Sequence, residues 1–156
     1  MDIFIFFSIF NFLPSVLYSS VREKHNQLER FKMEMNEIFA KAYDAGIVAG
    51  NNAKPVPMGV YSADPITGRP IAFIDLVSEG VCGFAWVSMK ANTTENKAFL
   101  KWAKKANVMR KSCMGGFTYW VGEFNQSMQR KEAFAVAFAK VLREHGMTCY
   151  ADSRMD

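Results

Sequence analysis

The stretch FTYWVGEFNQSMQRKEAFAVAFAKVLREHGMTCYADSRMD (residues 117–156) decides the fold. Its first eight residues, Phe117–Phe124, are aromatic and β-branched and predict a strand. Residues 128–145 then switch to a helical period, with Phe134, Ala137, Phe138, Val141 and Leu142 on one stripe. Ser127 is placed to cap the start, and Gly146 stands where a left-handed residue ends a helix. MTCYA (147–151) gives a last strand. A strand–helix–strand unit results. If its strands are parallel, the crossover is right-handed, and the end of the last strand lies near the helix start. Ser153 and Arg154 are therefore expected beside Gln126–Lys131, with Asp156 countering the cations there.

Working outward, residues 33–50 predict a helix that Gly46 and Gly50 weaken and end. NNAKPVPMG (51–59) reads as a linker, and ADPITGRP (63–70) as a turn. IAFIDLV (71–77) and VCGFAWVSMK (81–90), joined by SEG, read as a hairpin over residues 71–89. A helix follows from Thr94, capped by Asn92, Thr93 or Thr94, with Phe99, Trp102 and Ala103 on its apolar face. SCMGG (112–116) is a turn needing positive φ. The fold class expected is α+β: a two-layer sandwich with a mixed or mostly antiparallel sheet of about four strands and helices on one face.

The chain has 156 residues, half of them apolar, which suits one domain with a core. Residues 33–156 are read as that domain, and residues 1–32 as an apolar extension. IFIFFSIFNFLPSVLY (3–18) is shorter than a bilayer span and is interrupted by Ser8, Asn11 and Pro14. Three readings stay open for it: a membrane-associating segment, a packing helix, or a start-site artefact with Met33 or Met35 as the true start.

Net charge is +4, compatible with anionic partners without requiring one. Three cysteines without CxxC spacing argue against a disulfide framework or a zinc site, and each reads as a small buried thiol. No catalytic set, metal site or cofactor motif stands out, so an enzyme is not the favoured reading.

Two clusters are candidates for binding. Lys97, Lys101, Lys104, Lys105, Arg110 and Lys111 form a basic run with no acid, suited to phosphates of nucleic acid. Gln126, Ser127, Arg130 and Lys131 at a helix start, with Ser153 and Arg154, suit a nucleotide or another anion. A third feature is aromatic. Phe84, Trp86 and Phe117 are read as one sheet face, assigned to the core rather than to base stacking. Tyr119 and Trp120 must point to opposite faces.

EGVCGFAWV (79–87), GGFTYWV (115–121), NQSMQRKEAFAVAFAKVL (125–142) and YADSRMD (150–156) together are similar to a group of small proteins of tailed bacteriophages. The likeness runs from about residue 35 to the end. It implies a phage origin, the host bacterial cytoplasm and reduced thiols. The likeness adds no mechanism; taken with the absence of a catalytic set, the reading adopted is a non-enzymatic phage accessory protein that binds a host or viral partner, with a homo-oligomer as one form. The alternatives are a nucleic-acid or nucleotide binder, including one that sequesters a nucleotide signal of host defence, and a small enzyme of unknown class.

Overall fold

A computed structural model describes the backbone of residues 13–156 and the side chains from residue 22 onward. The chain divides into two compact units, one ending at Glu37 and the other Ile38–Asp156. Helix α1 is Leu13–Asn52, so helix begins well before the residue 33 expected. Most of the apolar run 3–18 lies outside the described residues. Among those described, no helix is long and apolar enough to cross a membrane.

The second unit has an α+β fold. Its elements in order are the end of α1, β1 (Met58–Ala63), β2 (Pro70–Val77), β3 (Gly83–Met89), α2 (Thr94–Lys105), β4 (Arg110–Lys111), β5 (Phe117–Trp120), α3 (Met128–Glu144) and β6 (Cys149–Met155). Strands β4-β5-β3-β6 form one antiparallel sheet, and β1-β2 form a separate antiparallel pair.

The hairpin expected over 71–89 is corrected. β2 pairs with β1, whose first two residues fall in the expected linker and whose residues 60–62 carry no expected element, and β3 pairs with β5 and β6. The hairpin turn is ADPITGRP. Asp64 Oδ1 accepts from the N–H groups of Ile66 and Thr67, both at 2.8 Å, and Gly68 takes φ +68°. That Asx turn closes β1 on β2, whereas SEG only carries the chain from β2 to the other sheet.

β5 and β6 each run antiparallel to β3, so they are parallel to one another with β3 between them. The strand expected to reach Phe124 stops at Trp120, and Phe124 and Asn125 take positive φ. The final strand continues through Ser153 and Arg154 to Met155.

The core lies between the sheet and the helices. Ala85, Val87 and Met89 of β3, Tyr119 of β5 and Cys149 of β6 point into it. Phe134, Phe138 and Leu142 of α3 and Phe99, Leu100, Trp102 and Ala103 of α2 meet them. Rings stack through this layer: Tyr119 lies 4.7 Å from Phe138 at 8°, and Phe39 of α1 meets Trp102, Tyr119 and Phe138 within 6 Å. Burial, with the nearby Glu123 carboxylate adding, holds the Tyr119 phenol above its usual range, so it stays a donor.

Gly46 and Gly50 do not end α1. They admit rings: a Cβ on Gly46 would sit 2.6 Å from the ring of buried Phe134, and one on Gly50 would meet Phe124. In an exposed helix, Gly→Ala stabilises by about 1 kcal/mol. Here Gly46→Ala is expected to reverse that sign and destabilise by about 1–3 kcal/mol through overpacking, read from the shift of a urea midpoint. An unchanged or raised midpoint contradicts the close approach.

The cysteines differ from the uniform buried reading. Cys149 is buried, but Cys82 and Cys113 are exposed. Burial pushes the Cys149 thiol up to about 11 from an ordinary 9. The folded state thus holds that proton more tightly than the unfolded chain. Its stabilising contribution is complete below pH 9 and is lost as pH rises from 9 to 11. A thiol titration of the native protein is expected to count two fast groups, with Cys149 reacting only on unfolding.

Candidate functional site: the open face of the sheet

Alternation along the strands sends one set of side chains into the helical layer and the other away from it. On β3, Gly83, Ala85, Val87 and Met89 are buried, leaving Phe84, Trp86 and Ser88 on the other face. On β5 that face receives Thr118 and Trp120, and on β6 Tyr150, Asp152 and Arg154. The cross-strand register aligns them in rows. Trp120, Trp86 and Asp152 form one, Thr118, Ser88 and Tyr150 another, and Phe84 stands opposite Arg154.

This corrects the core assignment of the aromatics. Trp86 and Trp120 stack at 5.5 Å and 7°, and Phe84 lies 5.4 Å from Trp120. Trp120 is 51% exposed and Tyr150 67%. Phe117 is on the helical side, where Lys104 Nζ lies 4.2 Å from its ring centroid. Tyr119 and Trp120 do point to opposite faces.

A cleft of about 640 Å³ opens on this face, floored by Trp86, Ser88, Thr118, Trp120, Tyr150 and Asp152. Its wall is the β3–α2 corner, Lys90 and Asn92, together with the β4–β5 turn, Ser112–Gly115. Positive φ at Gly115 and Gly116 shapes that turn, as SCMGG predicts. Gly116 is held so near Met89 that a Cβ would sit 2.7 Å from its carbonyl oxygen. A second recess beside Trp120 and Thr118 is lined by Arg110 and Lys111.

The six residues of the basic run therefore separate. Lys97, Lys101, Lys104 and Lys105 are exposed on α2, whose other side packs into the helical layer. Arg110 and Lys111 sit on edge strand β4, beside the aromatic face.

The second cluster forms a junction of α1, α3, β3 and β6. Arg130 Nε donates to Glu79 Oε2 at 2.7 Å, and its Nη1 donates to the carbonyls of Gly50 and Asn51 at the end of α1. Lys131 is buried and donates to Gly83 O at 3.1 Å. Ser127 is the N-cap residue, but its Oγ donates to Glu79 O at 2.7 Å rather than capping α3. Gln126 is exposed, with its carbonyl accepting from Gly83 N–H. Backbone at Arg154 lies against Gly83 next to Met128, and Asp156 N–H donates to Cys82 O. Ser153 is half-buried between Asp152 and Arg154. The acid that meets Arg130 is Glu79, not Asp156. Among the described residues no group of histidine, cysteine and carboxylate side chains is arranged to hold a metal. Comparison of the chain with protein-family models, curated proteins and solved structures gave no match.

Proposed function

We propose that the open sheet face binds single-stranded nucleic acid by stacking bases on Trp120 and its aromatic neighbours. The observation that carries the reading is the Trp86–Trp120 stack, flanked by Phe84 and Tyr150, with Trp120 and Tyr150 more than half exposed. The cross-strand Trp86–Trp120 pair contributes about 0.5–1.5 kcal/mol to the sheet, and it leaves the outer ring face of Trp120 open to a ligand. Bases stack on such platforms without needing sequence-specific contacts. The cleft's volume lies in the range of small-ligand sites. Arg110 and Lys111 at one edge, Lys90 at the wall and Arg154 beyond Phe84 are spaced around the rings, where phosphates would run. Asp152, the acid beside Trp86, is suited to accept from an exocyclic base amine.

The test is quenching of tryptophan fluorescence by single-stranded DNA and RNA oligomers, with duplex of equal length as competitor. Three or four phosphate contacts give a log–log salt slope of about −2 to −3. Preference for the single strand is expected, together with slower alkylation of Cys113 in the complex. Equal affinity for duplex, or no quenching by either strand, rejects the reading.

A further inference from the structure

The four-stranded sheet ends on β4, two residues long, at one edge and on β6, seven residues long, at the other. A short edge strand is blunted, whereas a long one offers a row of free N–H and C=O groups for pairing. β6 pairs with β3 without a register shift from Cys149 to Met155, so its side chains alternate strictly. Gly83 N–H donates to Gln126 O and Ala85 O accepts from Val121 N–H, both away from β6, whereas Asp156 N–H donates to Cys82 O. The ladder between β3 and β6 therefore uses the backbone groups of Asp152 and Arg154, and those of Ala151, Ser153 and Met155 turn outward. Arg143 Nη1 donates to Cys149 O at the start of the strand, and Asp152 Oδ1 accepts from Ser153 N–H at 2.9 Å.

We infer that β6 pairs with β6 of a second copy, antiparallel about a two-fold axis at Ser153, joining the two four-stranded sheets into one. Charge complementarity selects the second copy and its register. With residue 153 on the axis, residue 152 stands opposite 154, and 151 opposite 155. Asp152 and Arg154 are both exposed on the open face, so each carboxylate meets the guanidinium of the other copy. They fall at the pairs that share no backbone bonds, where Cα atoms come closest, about 4.5 Å apart. Ser153 bonds Ser153, and Ala151 bonds Met155, through the outward groups. An axis one residue earlier, at Asp152, sets the two carboxylates against each other. Opposite charges two residues apart thus guard the edge in that register and match in this one. Arg154 makes no side-chain bond among the described residues. On pairing, Ser153 N–H passes to a carbonyl of the other copy, and the Asp152 carboxylate is released to Arg154. A two-fold interface uses one patch twice, which this edge satisfies. The axis runs through the sheet, so both aromatic faces lie on the same side. The inference does not depend on nucleic-acid binding.

The experiment is sedimentation equilibrium of the full chain, without nucleic acid, over a range of concentrations. A reversible monomer–dimer equilibrium is expected. Asp152→Arg alone and Arg154→Asp alone each put like charges opposite one another and weaken the dimer by roughly tenfold. The double variant restores it. Ser153→Pro removes an outward N–H and leaves the β3–β6 ladder whole, so it is expected to give a monomer with an unchanged circular dichroism spectrum. A monomer of the parent chain at every concentration overturns the proposal. A dimer that survives Ser153→Pro, or is indifferent to the charge reversals, also overturns it and places the contact elsewhere on the molecule.

Discussion

Replacing Asn96 by leucine is expected to destabilise the protein by about 3 kcal/mol, since each buried polar group left without a partner costs about 1–3 kcal/mol. Asn96 has no solvent exposure, yet it sits on the buried stripe of α2 with Phe99, Leu100 and Ala103. Its Nδ2 donates to Lys90 O at 2.7 Å, Thr148 O at 2.8 Å and Asn92 Oδ1 at 3.1 Å, and its Oδ1 accepts from Thr148 N–H at 2.9 Å. One amide thus ties the start of α2 to the end of β3 and the approach to β6. Leucine fills similar space but strands the Thr148 peptide groups and the Lys90 carbonyl. At about 2–4 °C per kcal/mol for a chain of this size, the melting temperature falls by about 6–12 °C. Lys90, Asn92 and Thr148 also line the cleft, so oligonucleotide affinity is expected to fall alongside stability. Thermal melts of Asn96→Leu beside Thr94→Ala, an exposed neighbour, separate this effect from helix propensity.

Trp120→Ala carries the second large effect. Loss of a stacking platform costs about 1–3 kcal/mol per base, or roughly 5- to 150-fold in affinity. Trp120 is the most accessible indole of the face and borders both recesses. Its other neighbours, Trp86 and Phe84, lie on the same solvent side, so removal opens no cavity in the core and stability should change far less than binding. Trp120→Phe keeps an aromatic surface and should retain most of the affinity. Lys101→Glu with Lys105→Glu, on the helical side, is expected to weaken binding much less than Arg110→Glu with Lys111→Glu.

The α2 and α3 elements and the start of β6 are legible because their signals agree, whereas the run of β6 through Ser153 and Arg154 to Met155 is not. A 3.6-residue stripe, Thr93 accepting from Asn96 N–H, and Gly146 at φ +80° all mark the same boundaries. The hairpin was misread because two turns compete for β2, and β1 carries a glycine and a serine that blur its strand pattern. The aromatic face was hidden by a rule that is normally sound. Strand β3 alternates small residues with large ones, and size suggested that Phe84 and Trp86 belong inside. The helical layer instead takes Gly83, Ala85 and Val87. At the start of α3, a Cβ on Gly83 would collide with Met128. Close packing there selects small residues, and alternation leaves the large ones outside. Asn96 had a signal in the sequence, an amide on an apolar stripe, but its partners lie six and 52 residues away. Arg130 and Lys131 read as anion-binding cations at a helix start, because their partners Glu79 and Gly83 lie 51 and 48 residues away in the chain.

The chain has three tryptophans, which makes the face directly observable. Trp86 and Trp120 lie on the open side, whereas Trp102 is buried beneath the sheet against Phe39 and Phe99. Titration of ¹⁵N-labelled protein with a single-stranded oligonucleotide should move the indole N–H signals of Trp86 and Trp120 and leave that of Trp102 in place. Signals that stay fixed, or a shift at Trp102 alone, would contradict a base-stacking surface on this sheet.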